Sequence, residues 1–486
     1  MRTLRLTLAL AATVVAVLPI AGCSTAVPGT ALGIGEIDTK TVGGKPVTDG
    51  PTGPREGVPD AELGFENGDG GEMDRLAINA LADIYDYWSE QLPANFDGEQ
   101  FQPLRRLISY DSDGKAIKIC GQSTAQLVNA FYCGQDDSIA WDRGQLLPLL
   151  DKQFGPMAVV TVLAHEMGHA IQYRLLEKSN ISQTTPTIVK EQQADCYAGN
   201  FFAYVADGKA KHFQLNSGEG LNKVLATMFF IRDPAGLSAN TRGAHGLAFD
   251  RVFAFQEGYT KGPRRCAEMD SDEINSRIAE KKRTEQDEQS KGEAPIDDAE
   301  VFDEFKKSLD EAFKDNAKAT PPQLKADGAR CQNGSATSPV AYCPDQHVVA
   351  MDMAKLKQLA TPPKRNEQPG ENGAGIGDFA AFAEIVSRYA LGIQKSLGAP
   401  LEGDEAGLRT ACLTGAWTAF VDKPQEGTRI RLAVGDLDEA VAELLRDNSL
   451  IAADVKGQQT IIGFARVEAF RIGYFDGSGR CTNIGN

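Results

Sequence analysis

Two stretches of the chain carry apolar residues at the spacing of an amphipathic helix. One stretch has them at Met73, Ala77, Leu81, Ile84 and Trp88, and the other has them at Val301, Phe302, Phe305, Leu309 and Phe313. Residues three or four apart share one face of a helix, so each stripe predicts a helix that packs against a core. Short extended segments near residues 115–120, 138–141 and 348–351 predict a small sheet. The pattern therefore indicates a helix-dominated α+β fold.

A further helix is predicted by residues 158–164 (AVVTVLA), an apolar run without a helix breaker that suits a buried position. The run leads directly into the sequence HEMGH at residues 165–169. On a helix, His165 and His169 lie on one face, so both imidazoles can bind one metal ion while Glu166 reaches the water beside it. This spacing is typical of a zinc hydrolase. The alternative is a chance match on a helix surface.

A second motif follows in another predicted helix, where Glu191 precedes Asp195 by four residues. Catalytic zinc takes three protein ligands and leaves a fourth position open, and Glu191 is placed to supply the third ligand. Asp195 lies one turn further along the same face, where its carboxylate can accept the free ring N–H of a zinc-bound histidine. The alternative for this pair is a solvated acidic face.

These residues resemble a known arrangement. HExxH with a downstream ExxxD is the gluzincin pattern of thermolysin-like peptidases. The longer sequences HEMGHAIQ and EQQADCYAG, with a later HG, resemble the bacterial family of neutral zinc metallopeptidases over roughly residues 73–266. The resemblance implies a zincin-like fold and peptidase activity with Zn²⁺. It also implies that His165, His169 and Glu191 are the ligands and that Glu166 is the general base.

The chain also contains an internal repeat. Residues 249–266 and 464–481 are identical at ten of eighteen positions, at a constant offset of 215. This similarity predicts a tandem duplication, with a metallopeptidase-like domain at residues 72–267, a charged linker at 268–296 and a second copy at 297–486.

The second copy is predicted to lack the metal site. The residues aligned with His165, Glu166, His169, Glu191 and Asp195 are, in that order, Ser387, Arg388, Leu391, Gly407 and Ala411. Residues that both copies keep are therefore assigned to the fold, and these include Gln172, Arg251, Gly258 and Tyr259.

Three further histidines lie outside the motif. His245 is opposite Thr460 in the second copy, so it is a candidate site residue. In gluzincin-type catalysis a donor facing the developing oxyanion stabilises the tetrahedral intermediate, and His245 is a candidate for that role. The alternative is a solvent-facing loop histidine. His212 and His347 have no metal-ligand spacing to a partner and are predicted to be surface residues.

Eight cysteines fall symmetrically in the two copies. An even number in an exported chain indicates disulfides, although eight cysteines allow about 105 connectivities from sequence alone. Symmetry between the copies selects one of these. The predicted bridges are Cys120–Cys133, Cys196–Cys266, Cys331–Cys343 and Cys412–Cys481.

The N-terminus has the character of an export signal. Arg2 and Arg5 precede an apolar run at residues 6–18, and Cys23 follows Ala-Gly as in a bacterial lipobox. This predicts a lipoprotein signal peptide at residues 1–22, a lipid on Cys23 and an anchor at the outer face of the cell membrane. The alternative is an ordinary signal peptide with an incidental cysteine. Residues 23–71 are rich in Gly, Pro, Thr and Asp and are predicted to form a disordered tether.

Length and charge narrow the function further. A chain of 486 residues suits two or three domains, and its formal net charge of −17 argues against nucleic acid as a partner. The prediction is a membrane-anchored zinc peptidase acting on peptides or proteins. Two alternatives remain, an inactive binding or scaffold lipoprotein and a zinc hydrolase acting on another amide, such as cell-wall material. The sequence sets no oligomeric state.

Overall fold

The computed structural model describes residues 40–233, 245–278, 294–314, 320–334, 336–364, 369–370, 374–423 and 428–481. The described residues form long helices and small sheets, so the α+β prediction is confirmed. The elements of the first part of the chain are β1 (Thr41–Val42), β2 (Lys45–Pro46), β3 (Gly53–Pro54), α1 (Glu72–Asn95), β4 (Arg106–Tyr110), β5 (Lys118–Ile119), β6 (Gln122–Ser123), β7 (Ala130–Cys133), β8 (Ser138–Asp142), α2 (Leu146–Phe154), α3 (Pro156–Leu175), α4 (Thr187–Ala206), β9 (Phe213–Gln214), α5 (Glu219–Phe230), α6 (Ala248–Lys261), α7 (Pro263–Glu268) and α8 (Ser271–Arg277).

The second part of the chain repeats several of these elements in the same order. Its elements are α9 (Ala299–Ala312), β10 (Gln323–Lys325), β11 (Val340–Cys343), β12 (Val348–Met351), α10 (Met353–Leu359), α11 (Asp378–Ser396), α12 (Asp404–Val421), α13 (Asp436–Leu445), α14 (Gly463–Asp476) and α15 (Ser478–Cys481). The two predicted apolar stripes lie on α1 and α9, and all three predicted extended segments contain a strand.

Each part of the chain has a three-stranded sheet with mixed pairing. In the first sheet β8 is central, parallel to β4 and antiparallel to β7, with Ala140 opposite both Ile108 and Phe131. In the second sheet β12 is central, parallel to β10 and antiparallel to β11. In both sheets the strand that carries a disulfide cysteine, β7 or β11, is at an edge.

Two helix pairs cross at glycines so closely that their backbones touch. A Cβ added at Gly258 on α6 would lie 1.7 Å from the carbonyl oxygen of Cys196 on α4. A Cβ added at Gly473 on α14 would lie 1.8 Å from the carbonyl oxygen of Cys412 on α12. Any larger residue at either position would force the helices apart. The geometry therefore agrees with the assignment of Gly258 to the fold.

The two parts of the chain share one apolar core that runs from α1 through α14. Across their contact, the ring of Phe249 lies 5.6 Å from that of Tyr474, and the ring of Phe464 lies 5.5 Å from that of Tyr259. At the centre, Arg471 donates to the side-chain oxygen of Gln256 at 3.2 Å. Phe249 corresponds to Phe464 and Tyr259 to Tyr474 at the offset of 215, so the two ring contacts are equivalent to each other. The Arg471–Gln256 contact joins two residues that correspond at this offset, as in the self-complementary interface of a two-fold dimer.

All four predicted disulfides are present in the structure. They join Cys120 to Cys133, Cys196 to Cys266, Cys331 to Cys343 and Cys412 to Cys481. The Cys196 bridge ties α4 to the short helix α7, and the Cys412 bridge ties α12 to the short helix α15. The prediction from repeat symmetry is therefore confirmed.

The prediction of a disordered tether is wrong for residues 40–71. Val42 is buried, β3 pairs with β9, and Glu66 bridges to Ile108 beside the first sheet. These segments lack an apolar period because they attach through backbone hydrogen bonds, which leave no hydrophobic pattern in the sequence. The signal peptide at residues 1–22 and the lipid site at Cys23 lie outside the described residues. Within the described ranges, no helix is long and apolar enough to cross a membrane.

The predicted linker at residues 268–296 is also partly wrong. Its first residues continue the first part of the chain through α8, where Ile274 is fully buried and the side chain of Asp270 caps the helix. Ile296 near its end is buried as well. Met269, Ile274 and Ile296 are the buried apolar residues of this otherwise charged run, and they attach its described ends to the core. Residues 279–293 lie outside the described part of the chain.

Candidate metal centre

The HEMGH sequence and the Glu191 motif lie on two helices that touch. His165 and His169 are on α3, Glu191 is on α4, and the helices meet at Gly168, where an added Cβ would lie 2.8 Å from the Cα of Ala194. The absence of a side chain at Gly168 therefore allows the approach that brings the imidazoles to the carboxylate.

The three side chains converge on one point. His165 Nε2 lies 3.1 Å from Glu191 Oε2, and His169 Nε2 lies 3.4 Å from Glu191 Oε1. The donor atoms of all three residues lie within 4.8 Å of one another. Zinc bonds of about 2.0–2.1 Å in a tetrahedral site hold ligand atoms roughly 3.3 Å apart. The donor set and its spacing fit a zinc ion.

His165 is fixed in place through its other ring nitrogen. Its Nδ1 lies 2.7 Å from Asp195 Oδ1, and Arg251 donates to the same carboxylate through Nε at 2.9 Å and Nη2 at 2.8 Å. His165, Asp195 and Arg251 are all buried. Because Asp195 accepts a hydrogen bond from the Nδ1–H group of His165, the other ring nitrogen, Nε2, is left to face Glu191.

His169 has a comparable partner in Gln172. The side-chain oxygen of Gln172 lies 3.1 Å from His169 Nδ1, and its amide donates to the carbonyl of Lys190 at 2.6 Å. Gln172 and Arg251 were both assigned to the fold because both copies keep them. The structure places each of them against a site residue, so that assignment was incomplete.

The charges of the cluster are strongly coupled. Burial acts to lower the pKa of His165, but the Asp195 and Glu191 carboxylates outweigh it and raise that pKa to about 10. Glu191 raises the pKa of His169 in the same way against the effect of burial. In spite of its own burial, Glu191 has a pKa well below its usual range because both imidazoles face it. The cluster therefore favours positive charge beside Glu191, which a divalent cation provides with neutral imidazoles.

Glu166 is a residue of α3, and its side chain extends to the edge strand β7 of the first sheet. Its Oε2 accepts a hydrogen bond of 2.8 Å from the backbone N–H of Tyr132 on β7, and its side chain is buried. This contact fixes one carboxylate oxygen and aims the side chain along the edge strand. A main-chain donor leaves no trace in the sequence, so this partner of Glu166 was not predicted.

His245 lies beside the cluster. Its Nε2 is 4.0 Å from Glu191 Oε2, its ring centroid is 6.3 Å from that of His165, and its side chain is 40% exposed. Asp233 holds it by accepting from the backbone N–H groups of His245 and Gly246, and its Oδ1 lies 3.4 Å from His245 Nδ1. Asp233 was not predicted, although at the offset of 215 it aligns with Asn448 and so differs between the two parts of the chain, as His245 does.

The other two histidines lie away from this cluster. His212 is buried, with Nδ1 2.7 Å from Asp83, so its prediction as a surface residue is wrong. The cause is Asp83, which also accepts from backbone N–H groups of the His212 segment and pulls it into the core. His347 is partly buried, and its Nδ1 hydrogen-bonds with the Tyr342 hydroxyl.

Comparison with known proteins assigns this part of the chain. Residues 34–269 match the model of a protein family described as "Putative neutral zinc metallopeptidase". This segment belongs to that family. No curated protein and no solved structure gives a significant match to the chain. The matched segment contains every residue of the cluster.

The corresponding position in the second part of the chain holds a different set of groups. Arg388, opposite Glu166, donates to the carbonyl oxygens of Leu450, Ala453 and Asp454. Arg466, opposite Arg251, is buried, and neither its Nε nor its Nη1 has a hydrogen-bond partner among the described residues. Burial lowers its pKa to about 10.

A second group of acidic side chains in this part consists of Asp378, Asp436 and Glu439. Asp378 accepts from the Ala294 backbone N–H, and Glu439 accepts from that of Phe379 at the start of α11. These carboxylates therefore serve as caps of the main chain.

Proposed function

We propose that the chain is a zinc-dependent peptidase whose metal is held by His165, His169 and Glu191. The observation that carries the proposal is the convergence of these three side chains, two of which flank Glu166 on α3, together with the hydrogen bond that holds the Glu166 carboxylate at the edge strand. A structural zinc site has four protein ligands and no use for a base, whereas this cluster, among the residues that the structure describes, offers three ligands and a held carboxylate. The family match supports a peptide or protein substrate.

Each residue has a role that follows from its contacts. Bound zinc would acidify a water molecule and polarise the substrate carbonyl. Glu166 takes the proton of the attacking water and passes it to the departing amine, while the Tyr132 N–H holds its other oxygen in place. His245 donates to the carbonyl oxygen as negative charge develops there, and Asp233 fixes its orientation. Asp195 keeps His165 in the ligating tautomer.

The rest of the chain fits an exported protein with a degenerate copy. Four disulfides favour an oxidising compartment, and we propose a lipid on Cys23 after removal of residues 1–22. We also propose a zincin-like fold for residues 72–278, and descent of residues 297–486 from the same ancestor by duplication. Support for the duplication comes from the matching sheets, disulfides and glycine crossings.

The test compares the full chain with its Glu166→Gln variant on a peptide library, with cleavage sites read by mass spectrometry. Loss of a general base lowers turnover by about 10²- to 10⁴-fold, and the metal content stays the same because Glu166 is not a ligand. Glu177→Gln, an exposed position shortly after α3, is the matched control and keeps full activity. Equal cleavage by wild type and Glu166→Gln would rule out the proposed base.

A further inference from the structure

One acidic residue of the second part of the chain reaches into the first part beside the candidate site. Asp438 lies on α13, which packs against α5 and α6, and only 3% of it is exposed. Its carboxylate makes two contacts across this interface. Oδ2 accepts from Arg232 Nε at 2.9 Å, and Oδ1 accepts from the backbone N–H of Phe249 at 3.3 Å.

The two contacts of Asp438 lie on the two chain segments that carry His245 and its partner Asp233. Arg232 immediately precedes Asp233, and Phe249 is the second residue of α6, which starts three residues after His245. The segments also bond to each other, because the N–H of Asp233 donates to the carbonyl of Gly246 at 3.1 Å. The single side chain of Asp438 therefore contacts both chain segments that hold the His245 ring in place.

The physical strength of this clamp comes from charge and burial. A carboxylate at the N-terminus of a helix is stabilised by the helix dipole, and the side chain of Asp438 is only 5% exposed, whereas that of Arg232 is 27% exposed. Arg232 is also held by the ring of Phe229, whose centroid lies 3.8 Å from the guanidinium carbon. A shift of about 1 Å in a group that acts on the transition state costs about 10²-fold in rate.

We propose that Asp438, which lies outside the family-matched segment, is a positioning residue that fixes His245 through Arg232 and the start of α6. This proposal rests on the proposed function, since it assigns His245 a task in the same reaction. It gives the second part of the chain a role in catalysis. That role is the placement of an oxyanion donor in the first part.

The same interface offers a matched control in the opposite direction. Asn222 on α5 accepts from the backbone N–H of Gly463 at 2.7 Å and donates to the carbonyl of Ile461 at 2.8 Å. It therefore supports the start of α14, as Asp438 supports the start of α6, but no candidate site lies there. Asn222→Ala perturbs the interface and leaves the His245 segments untouched.

The experiment uses the full chain and a fluorogenic peptide chosen from the products of the library digest. Asp438→Ala should lower kcat by about 10- to 100-fold with KM within about twofold, because misplacing a donor to the oxyanion affects the transition state more than the bound substrate. Asn222→Ala should leave kcat unchanged. Asp438→Asn keeps an acceptor for the Phe249 N–H but loses the charge facing Arg232. Its kcat should therefore lie between that of the wild type and that of Asp438→Ala, which makes it a milder variant.

Two further readouts separate positioning from general support. In a His245→Ala background, Asp438→Ala should have no added effect on kcat, since both act through one ring. Hydrogen exchange of the metal-free protein should show faster exchange in residues 245–249 for Asp438→Ala only. Multiplicative kcat effects, or an unchanged kcat with faster exchange, would overturn the proposal. If the wild type cleaves no peptide, the proposed function fails. Hydrogen exchange then tests the positioning role of Asp438 by itself, because an unchanged exchange rate at residues 245–249 in Asp438→Ala would overturn it.

Discussion

Asp195 provides the sharpest test of how the candidate site is built. Its carboxylate is fully buried, and it accepts from Arg251 twice and faces the Nδ1 of His165. Asp195→Ala leaves the Arg251 guanidinium, only 1% exposed, without its counterion. Removing one partner of a buried ion pair costs about 3–5 kcal/mol. We therefore expect Asp195→Ala to lower the free energy of unfolding by that amount in the metal-free protein.

A double-mutant cycle separates the ion pair from simple loss of packing. Arg251→Met removes the guanidinium, so Asp195→Ala in that background no longer strands a charge. The cost of the second change should then be smaller by about 2–3 kcal/mol than its cost in the wild type. Urea denaturation of the chelator-treated protein, followed by far-UV circular dichroism, measures all four variants.

Metal affinity gives an independent reading of the same residue. Loss of a carboxylate that orients a zinc-ligating histidine weakens binding by about 10- to 100-fold. Titration of zinc against a competing chelator measures this loss for Asp195→Ala. Additive stability costs in the cycle, together with unchanged zinc affinity, would refute the role of Asp195 described here.

Three further expectations follow from the second part of the chain and the bridges. Ala411→Asp should raise the free energy of unfolding by about 1–3 kcal/mol in urea, because Ala411 and Arg466 align with the paired Asp195 and Arg251 and the new carboxylate would give the buried Arg466 a counterion; a loss of stability would contradict this. Replacing Cys196 and Cys266 together should cost about 4 kcal/mol by loop-closure entropy for a separation of 70 residues, measured the same way, and a cost near zero would argue against that bridge. A chain that ends at Arg277 exposes the interface around Phe249 and should aggregate in light scattering; a stable monomer would show that the first part folds alone.

The local parts of the site could be predicted from the sequence because they follow from helical spacing. His165, His169, Glu191 and Asp195 each lie four residues from a partner on a single helix, and one face of a helix is a local property. The meeting of the two helices depends on Gly168, whose missing side chain allows the close contact with Ala194. Comparison of the two copies added the disulfides.

The remaining contacts depend on chain segments that are far apart or on the main chain. Asp233 contacts His245 from a different segment of the chain, after α5. Asp438 contacts the segments around Asp233 and His245 from the second part of the chain. No local sequence pattern indicates either contact. The comparison of copies was also misleading for Arg251. Both parts of the chain have an arginine at this position, Arg251 and Arg466, but only the first part has an aspartate, Asp195, that aligns as its partner. A residue found in both parts therefore contacts the candidate site in the first part.

Metal content of the natively purified protein tests the central claim most directly. Elemental mass spectrometry of the wild type should find one zinc ion per chain, and Glu166→Gln should retain it. A His165→Ala/His169→Ala double variant, checked for folding by circular dichroism, should have lost it. A wild type without a transition metal that zinc does not reload, or a double variant that still carries one zinc per chain, would contradict the account.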